Sequence, residues 1–441
     1  MIAVAPISAG KNAGFRAEID SIAPDKSISH RSAMFSLLCD RPSVVHNYLL
    51  AHDTLNTLAI AKALGLGVEE LGCAGSFRFT PPKALHEPSC VLDCGNAGTA
   101  MRLFAGLLAG QSGYFVLSGD EYLCARPMKR VIEPLSNIGA RIYARSGGYA
   151  PLSILGSELA GFDFASPIAS AQVKSAMILA ALHAKDTSVY RESELTRDHT
   201  ERMLQGMGAA ITLDSGAIHI SPLDSRLSPL DMVIPADPSS AFFFAVAAAI
   251  VPNSSVLLKN ILLNPTRIEA FKVLESMGAI IEYRPASSAY EEIGDIYVES
   301  APLQAVEVSD NIAWLIDEIP ALSIAFCFAE GVSKVGGAKE LRVKETDRIH
   351  AIVSNLRALG IECEECEDGF SVRGVGEAGI GAGGLDSSAC VLQSFGDHRI
   401  AMSFAILGLR VGAVLDDESC MGISFPNFLA ILQELTTIKI S

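Results

Sequence analysis

The sequence predicts an α/β protein built from six similar units of about 70 residues. In the repeated pattern, an apolar helical run ends in a hydrophobic residue followed by glycine, and a short strand, a turn and a second strand come next. The pattern occurs five times, at Leu64-Gly65, Ile138-Gly139, Met207-Gly208, Met277-Gly278 and Leu359-Gly360. These glycines lie 74, 69, 70 and 82 residues apart. The length of 441 residues leaves room for a sixth unit, which the two ends of the chain would form together.

Each part of the repeat has a physical reason. Glycine directly after a helix adopts the left-handed conformation of a C-cap at little steric cost. The second strands alternate apolar and polar residues, which indicates one buried face, and they are expected at 76–79, 152–154, 217–220, 295–298 and 370–372. A period near 70 exceeds the roughly 20–50 residues of a solenoid repeat. Asp237-Pro238-Ser239-Ser240, just before a long apolar run, is the best candidate for a crossing between domains.

Composition excludes several classes of function. The 34 Lys and Arg residues face 50 Asp and Glu residues, and the net charge of −16 disfavours binding to nucleic acid or to an anionic membrane. The best apolar run, 241–251, ends at Pro252 and is shorter than the roughly 18 residues of a membrane span. Ten scattered cysteines, and no basic leader in the first ten residues, predict reduced thiols and a cytoplasmic location.

Two motifs that suggest cofactors are weak. Gly374-x-Gly376-x-x-Gly379 matches the dinucleotide-binding pattern, but Gly and Ser residues follow it where a helix is required. Cys363-x-x-Cys366 has no second cysteine pair to complete a zinc site. The sequence therefore predicts neither a nucleotide cofactor nor a metal.

Basic residues instead recur among small hydrogen-bonding residues, mostly where helices are expected to begin. Seven segments share this character: 25–31 (Asp-Lys-Ser-Ile-Ser-His-Arg), 95–99 (Gly-Asn-Ala-Gly-Thr), 126–130 (Arg-Pro-Met-Lys-Arg), 170–175 (Ser-Ala-Gln-Val-Lys-Ser), 196–199 (Thr-Arg-Asp-His), 342–348 (Arg-Val-Lys-Glu-Thr-Asp-Arg) and 396–399 (Gly-Asp-His-Arg). Helix N-termini with nearby cations favour anions, and Ser27 is a candidate both to cap the first helix and to bind an anion there. Taken alone, each segment is also consistent with an ordinary capped helix or a solvated charge cluster. Together they predict a site for a ligand with several negative charges.

Two acidic positions fit such a site. Asp317, in an apolar stretch before Pro320, is a candidate general base whose ionised form nearby cations would favour, or else an ordinary acid at a helix start. Glu345 is the natural second proton-transfer group. Its neighbours Lys344 and Arg348 would share one face if 342–348 is helical, and like charges at that spacing repel unless an anion lies between them.

Six of these segments, in this order, resemble the 5-enolpyruvylshikimate-3-phosphate synthase family, the 3-phosphoshikimate 1-carboxyvinyltransferases. They are 25–31, 95–99, Arg126-Pro127-Met128, 170–175, 342–348 and 396–399. The resemblance runs from about residue 15 to the end. It implies two similar domains, each of three βαβαββ units (an inverse α/β barrel). One domain would comprise residues 1–22 and 238–441, and the other residues 23–237.

The resemblance also implies an activity. The family joins phosphoenolpyruvate to the 5-hydroxyl of shikimate 3-phosphate by addition and elimination, in the shikimate pathway to chorismate and aromatic amino acids. It implies a monomer that binds these two small molecules and neither nucleic acid nor membrane. The reaction needs no redox cofactor or metal, only proton transfer and anion stabilisation. Domain closure would assemble the site.

Residue by residue, the resemblance implies three sets. The catalytic set is Asp317, Glu345 and Lys26. The shikimate 3-phosphate set is Lys26, Ser27, Arg31, Ser170, Ala171, Gln172, Arg197, Asp317 and Lys344. The phosphoenolpyruvate set is Lys26, Asn96, Gly98, Arg126, Gln172, Arg348 and Arg399. Gly98 is also expected to leave room for glyphosate, which resembles phosphoenolpyruvate in this family.

Some positions depart from the family pattern, and two other functions fit the sequence less well. Pro24, Ala171 and Ile423 stand where relatives commonly have Gly, Ser and Lys, which bears on affinity rather than on the reaction. A sister enzyme transfers the same group to UDP-N-acetylglucosamine with a cysteine five residues before an Arg-Pro pair, but here Cys124 lies two residues before Arg126. A non-enzymatic anion-binding relative is disfavoured because both Asp317 and Glu345 are present.

Overall fold

The computed structural model describes residues 1–7, 14–288, 290–376 and 390–437. Two compact units divide the chain: unit 1 is Met1–Ala23, Pro235–Ser288 and Glu292–Ser441, and unit 2 is Pro24–Ile234 and Ala289–Glu291. Gly379, the last glycine of the dinucleotide-like pattern, lies outside the described residues. Within the described residues, no helix is long and apolar enough to cross a membrane.

The helices and strands follow in chain order. Unit 1 begins with β1 (Ile2–Val4) and β2 (Arg16–Ile19). Unit 2 contains α1 (Lys26–Ser36), β3 (Ser43–His46), α2 (His52–Ala63), β4 (Gly67–Glu70), β5 (Phe77–Thr80), β6 (Leu92–Asp93), α3 (Gly98–Ala109), β7 (Tyr114–Ser118), α4 (Glu121–Cys124), α5 (Lys129–Asn137), β8 (Arg141–Arg145), β9 (Tyr149–Leu155), β10 (Asp163–Ala165), α6 (Ala171–Ala181), β11 (Ser188–Arg191), α7 (His199–Gly206), β12 (Ile211–Asp214), β13 (Ala217–Ile220) and β14 (Asp231–Val233). Unit 1 resumes with α8 (Pro238–Ile250), β15 (Ser255–Leu262), α9 (Glu269–Ser276), β16 (Ile280–Ser288), β17 (Glu292–Glu299), β18 (Glu307–Val308), α10 (Ile312–Leu315), α11 (Ile319–Cys327), β19 (Val332–Val335), a 3₁₀ helix (Lys339–Val343), α12 (Arg348–Ala358), β20 (Cys363–Cys366), β21 (Gly369–Arg373), β22 (Val391–Leu392), α13 (His398–Val411), β23 (Ala413–Leu415), a 3₁₀ helix (Ser419–Ile423) and α14 (Phe428–Thr437).

Six small mixed sheets carry the repeat in the part of the chain that is described. Five have four strands, with a parallel pair on one side and an antiparallel hairpin on the other, in the orders β14-β3-β5-β4, β6-β7-β9-β8 and β10-β11-β13-β12 in unit 2, and β2-β15-β17-β16 and β18-β19-β21-β20 in unit 1. The sixth, β1-β23-β22, joins the two ends of the chain. The predicted α/β architecture of six units is thereby confirmed, including the unit formed by the chain ends.

The five glycines that were predicted to end helices all have positive φ angles, between 78° and 116°. Residues other than glycine rarely adopt this backbone conformation because their Cβ atom crowds the backbone. Each glycine follows a helix and precedes a hairpin whose second strand is β5, β9, β13, β17 or β21. The predicted second strands therefore all form, with ends shifted by a few residues.

Helix packing in each unit explains where the functional residues lie. In unit 2, Gly106 brings α3 against α6 so closely that a Cβ atom there would overlap the backbone of Ala176. In unit 1, α8 is buried along its whole length and contacts α11 and α13. The Asp237 side chain caps α8 by accepting a hydrogen bond from Ser239 N at 2.8 Å. Close packing of this kind fixes the starts of the helices relative to one another within each unit.

Candidate active site

The predicted site residues fall into two clusters, and each is described within its own unit. The unit 2 cluster comprises Lys26, Ser27, Arg31, Asn96, Gly98, Arg126, Ser170, Ala171, Gln172 and Arg197. The unit 1 cluster comprises Asp317, Lys344, Glu345, Arg348 and Arg399, to which the structure adds Asp397.

The start of α1 corrects one expectation. Asp25, and not Ser27, caps this helix, since its Oδ1 accepts a hydrogen bond from Ile28 N at 2.8 Å. Asp25 is the cap because it directly precedes the first turn of the helix, and from this position a side chain reaches the free N–H groups. Ser27 lies inside the first turn, and Lys26 forms an ion pair with buried Asp53.

Arg31 is a buried cation that links three helices. Its Nε donates to Thr200 Oγ1 on α7 at 2.8 Å, and its Nη2 donates to Ser175 Oγ on α6 at 3.0 Å. Its Nη1 donates to the Ser27 carbonyl oxygen at 3.1 Å. Only 4% of the residue is exposed, so these bonds fix the direction of the guanidinium group.

His30 lies beside Arg31 on α1 and is fully buried. Burial, reinforced by the nearby Lys26 charge, lowers the pKa of His30 to about 3. Its Nδ1 lies 2.6 Å from Thr57 Oγ1. His30 is therefore neutral at physiological pH and adds no charge to the cluster.

At the start of α3, Gly98 lies beside the side chains of two arginines. Arg126 Nη2 donates to Asn96 Oδ1 at 2.8 Å, and Asn96 Nδ2 donates to Asp120 Oδ2 at 2.9 Å. A Cβ atom on Gly98 would lie 2.7 Å from Arg102 Nη1 and 3.5 Å from Arg126 Nη1. The bare backbone of Gly98 therefore leaves space beside two guanidinium groups.

Arg102 is a residue that the sequence reasoning missed. Its Nη1 donates to Gln172 Oε1 at 2.6 Å, and Gln172 Nε2 donates to Thr99 Oγ1 at 3.0 Å. These bonds join the first turns of α3 and α6. The spacing held a usable signal, because Arg102 follows Gly98 by four residues and so shares its helix face.

The remaining members of the unit 2 cluster lie at two further helix starts. Ser170 caps α6 by accepting from Val173 N at 3.5 Å, and Ala171 is the first residue of that helix. Arg197 is partly exposed and lies two residues before α7. The structure thus brings the starts of α3, α6 and α7 together through Gln172 and through the bonds between Arg31, Ser175 and Thr200.

In unit 1, the Asp317 carboxylate faces three cations. Its Oδ1 lies 3.3 Å from Arg348 Nη1 and 3.7 Å from Lys344 Nζ, and its Oδ2 lies 4.0 Å from Arg399 Nη2. Arg399 Nη1 also donates to the Asp317 carbonyl oxygen at 3.0 Å. Asp317 is 18% exposed, so the carboxylate is held in place yet reachable.

Arg348 joins Asp317 to two further carboxylates. Its Nη2 lies 2.7 Å from Glu345 Oε2, and its Nε lies 2.8 Å from Asp397 Oδ2. Burial opposes the charge of Arg348, but Asp397, Glu345 and Asp317 outweigh it and raise the pKa of the guanidinium. Asp397, which the sequence reasoning did not assign, also caps α13 by accepting from Arg399 N at 2.8 Å.

Residues 342–348 do not form one helix, so the condition for Lys344 and Arg348 to share a helical face is not met. Lys344 terminates a 3₁₀ helix, and Arg348 is the first residue of α12 after the Asp347 cap. The two cations nevertheless lie near one anion, the Asp317 carboxylate. The Asp317 carboxylate is therefore the anion that relieves the repulsion between Lys344 and Arg348, and it belongs to the chain itself.

Known proteins are similar to this chain, in sequence and in structure, over nearly its whole length. The family description "EPSP synthase (3-phosphoshikimate 1-carboxyvinyltransferase)" matches residues 11–432. A 3-phosphoshikimate 1-carboxyvinyltransferase of Wolinella succinogenes is 58% identical over 428 residues, 96% of each chain. That of Helicobacter pylori (strain G27) is 56% identical over 419 residues, 95% of this chain and 97% of the relative. A solved EPSP synthase structure from Acinetobacter baumannii has a TM-score of 0.86 and 35% identity, and the match covers 98% of this chain and 97% of that one.

The fold, together with the family description that matches it, defines the class first: the chain is an α/β transferase. The chain belongs to the EPSP synthase (3-phosphoshikimate 1-carboxyvinyltransferase) family. The reaction of this family is a step of the shikimate pathway, which leads to the aromatic amino acids.

Proposed function

We propose that the chain transfers the enolpyruvyl (carboxyvinyl) group of phosphoenolpyruvate to the 5-hydroxyl of shikimate 3-phosphate. The hydroxyl oxygen attacks C2 of phosphoenolpyruvate while C3 gains a proton, which gives a tetrahedral intermediate. The bond between C2 and the phosphate oxygen then breaks as the methyl group loses a proton, and phosphate is released. Both steps need groups that move protons and groups that hold anions.

The observation that carries the proposal is the pair of carboxylates bridged by buried Arg348 in unit 1. Asp317 accepts the proton of the 5-hydroxyl, and Glu345 delivers and removes the proton at C3. One guanidinium group holds both side chains, so their spacing is fixed before substrate binds. Lys26, held by its ion pair with Asp53, is the third proposed catalytic group.

The cations and polar groups of both clusters hold the substrates. Shikimate 3-phosphate is bound by Lys26, Ser27, Arg31, Ser170, Ala171, Gln172, Arg197, Asp317 and Lys344. Phosphoenolpyruvate is bound by Lys26, Asn96, Gly98, Arg126, Gln172, Arg348 and Arg399. Support comes from the hydrogen bonds that orient Arg31, Arg126 and Gln172, because oriented donors bind anions at a lower entropic cost.

The wider description of the protein belongs to the same proposal. Residues 1–22 with 238–441 and residues 23–237 are the two family domains. The compact units support this division, although Ala23 and residues 235–237 group with unit 1 and the short segment Ala289–Glu291 groups with unit 2. The enzyme is a cytoplasmic monomer, and its ten cysteines, all free thiols, fit a reducing compartment.

Phosphate release with two acceptors tests the reaction. Purified enzyme is expected to release phosphate from phosphoenolpyruvate in the presence of shikimate 3-phosphate, and to release none with UDP-N-acetylglucosamine or with no acceptor. Activity with the UDP-sugar and inactivity with shikimate 3-phosphate would overturn the assignment.

A further inference from the structure

Lys174 is a buried cation of unit 2 to which the reaction assigns no role. It lies on α6, two residues after Gln172, and its side chain is fully inaccessible to solvent. Its Nζ lies 2.8 Å from Glu201 Oε1 and 2.9 Å from Glu192 Oε1. Burial lowers the pKa of Lys174, but these two carboxylates outweigh the effect and the net shift is upward. The side chain is thus a charged group that cannot touch substrate.

The partners of Lys174 hold the segment that leads into Arg197. Glu192 Oε2 accepts hydrogen bonds from Thr196 N at 3.0 Å and from Thr196 Oγ1 at 2.6 Å. Lys174 Nζ donates to the Thr196 carbonyl oxygen at 3.2 Å. Residues 192–196 therefore form a turn that is closed by hydrogen bonds of its own side chains, and Lys174 attaches this turn to α6. Arg197 is the next residue in the chain.

The second carboxylate fastens the start of α7. Glu201 is the third residue of that helix, and the residue before it, Thr200, bonds to Ser175 at 2.7 Å and to Arg31 at 2.8 Å. Lys174 and Ser175 are neighbours on α6, so both attach α7 to the same turn of α6. Arg197 lies between the two attachments, in the short connection between Thr196 and α7.

We propose that Lys174 is a positioning residue that holds Arg197 in the place where it binds the phosphate group of shikimate 3-phosphate. The inference rests on the function proposed for Arg197. A buried ion pair is a costly way to stabilise a fold, since apolar side chains of similar volume do so as well or better. Lys174 instead supplies three directed bonds, and these hold the chain on both sides of the substrate-binding arginine, at Glu192 and Thr196 before it and at Glu201 after it.

Lys174→Met is the first test, with shikimate 3-phosphate and phosphoenolpyruvate as the probes. The KM for shikimate 3-phosphate is expected to rise at least about tenfold, while the KM for phosphoenolpyruvate stays within about threefold. Met177→Ala is the matched control, because Met177 is a fully buried residue of the same helix. It should lower the thermal midpoint and leave both KM values unchanged. Equal KM changes for both substrates in Lys174→Met would overturn the proposal.

Thr196→Val keeps the test decisive if Lys174→Met folds poorly. This nearly isosteric change removes the 2.6 Å hydroxyl bond to Glu192 and leaves every charge paired. The KM for shikimate 3-phosphate is expected to rise about three- to tenfold at an almost unchanged thermal midpoint. An unchanged KM for this substrate would contradict the proposed fastening.

Arg197→Ala separates this inference from the proposed function. If Arg197→Ala leaves the KM for shikimate 3-phosphate unchanged, the binding assignment itself is wrong. If it raises that KM and Lys174→Met does not, only the positioning role is overturned. Should Lys174 act through Arg197, the double variant will raise the KM no more than Arg197→Ala alone, whereas additive effects would refute the coupling.

Discussion

The two clusters differ in the groups that orient their arginines. In unit 2, Arg31 donates to the hydroxyls of Thr200 and Ser175, and Arg102 and Arg126 donate to side-chain amide oxygens. In unit 1, Arg348 instead contacts three carboxylates. Hydroxyl and amide oxygens orient the guanidinium groups of unit 2, whereas the carboxylates that contact Arg348 are themselves held in place by it.

The difference assigns separate tasks to the two clusters. The unit 2 cluster is suited to holding an anionic substrate, although Lys26 departs from the pattern because it pairs with Asp53. The unit 1 cluster is suited to proton transfer, because it fixes Asp317 and Glu345 around one buried cation. Removal of Asp317 or Glu345 from unit 1 should therefore change turnover, and disturbance of Gly98 or Arg197 in unit 2 should change substrate affinity.

The largest expected effect is that of Asp317→Ala. Loss of a positioned general base costs about 10²- to 10⁴-fold in rate, so kcat should fall by this factor while both KM values change by no more than a few-fold. Steady-state kinetics with each substrate varied in turn measures the effect. Asp310→Ala, a change of an exposed acid of the same unit, serves as the control and should keep wild-type turnover. Unchanged turnover in Asp317→Ala would remove Asp317 from the base role.

A smaller effect is expected for Gly98→Ala in unit 2. The new Cβ atom, 2.7 Å from Arg102 Nη1, must displace that guanidinium group, which also holds Gln172. The KM for phosphoenolpyruvate should rise about tenfold, equivalent to about 1.4 kcal/mol, with little change in the thermal midpoint. Inhibition by glyphosate should require a correspondingly higher concentration, because glyphosate is proposed to occupy the same space.

Gly336→Ala is the matched control, since a Cβ atom there meets nothing within 4 Å. It should leave the KM and the inhibition curve of the wild type unchanged. For the wild type itself, an inhibition curve that stays flat up to millimolar glyphosate would contradict the space assigned to Gly98.

The last expected effect leaves the reaction untouched and concerns the pH dependence of stability in unit 2. The folded pKa of His30 is about 3, against an ordinary value of 6.5, so between these values the unfolded chain binds more protons than the folded one. Stability that is present above pH 6.5 is therefore lost as the pH falls. From pH 7.5 to 5.5, His30 should lower the free energy of unfolding by about 1.4 kcal/mol.

Urea unfolding at the two pH values checks this expectation. His30→Gln should lose less stability on acidification than the wild type, by about that amount. His52→Gln, which alters an exposed histidine of the same unit, is the control for the substitution itself. If His30→Gln loses as much free energy of unfolding between the two pH values as the wild type does, the neutral state inferred for buried His30 is wrong.

The sequence predicts those features of the fold that depend only on neighbouring residues. The five helix-ending glycines and the strands after them were predictable because a positive φ angle and an alternating pattern depend on a few neighbouring residues. The sequence does not decide the cap of α1, because Asp25 and Ser27 are both cap-forming residues and stand close together. Only the helix start, one residue after Asp25, decides between them.

The sequence by itself determined the repeat, the six-unit architecture and the kinds of residue in the site. The tertiary structure decided which of them meet. Arg102 reaches Gln172 because Gly106 lets α3 press against α6, and Asp397 reaches Arg348 across 49 residues of sequence. Lys344 and Arg348 converge on Asp317 without sharing a helix. Contacts of this range depend on how helices pack, and a periodic pattern within one helix carries no information about its neighbour.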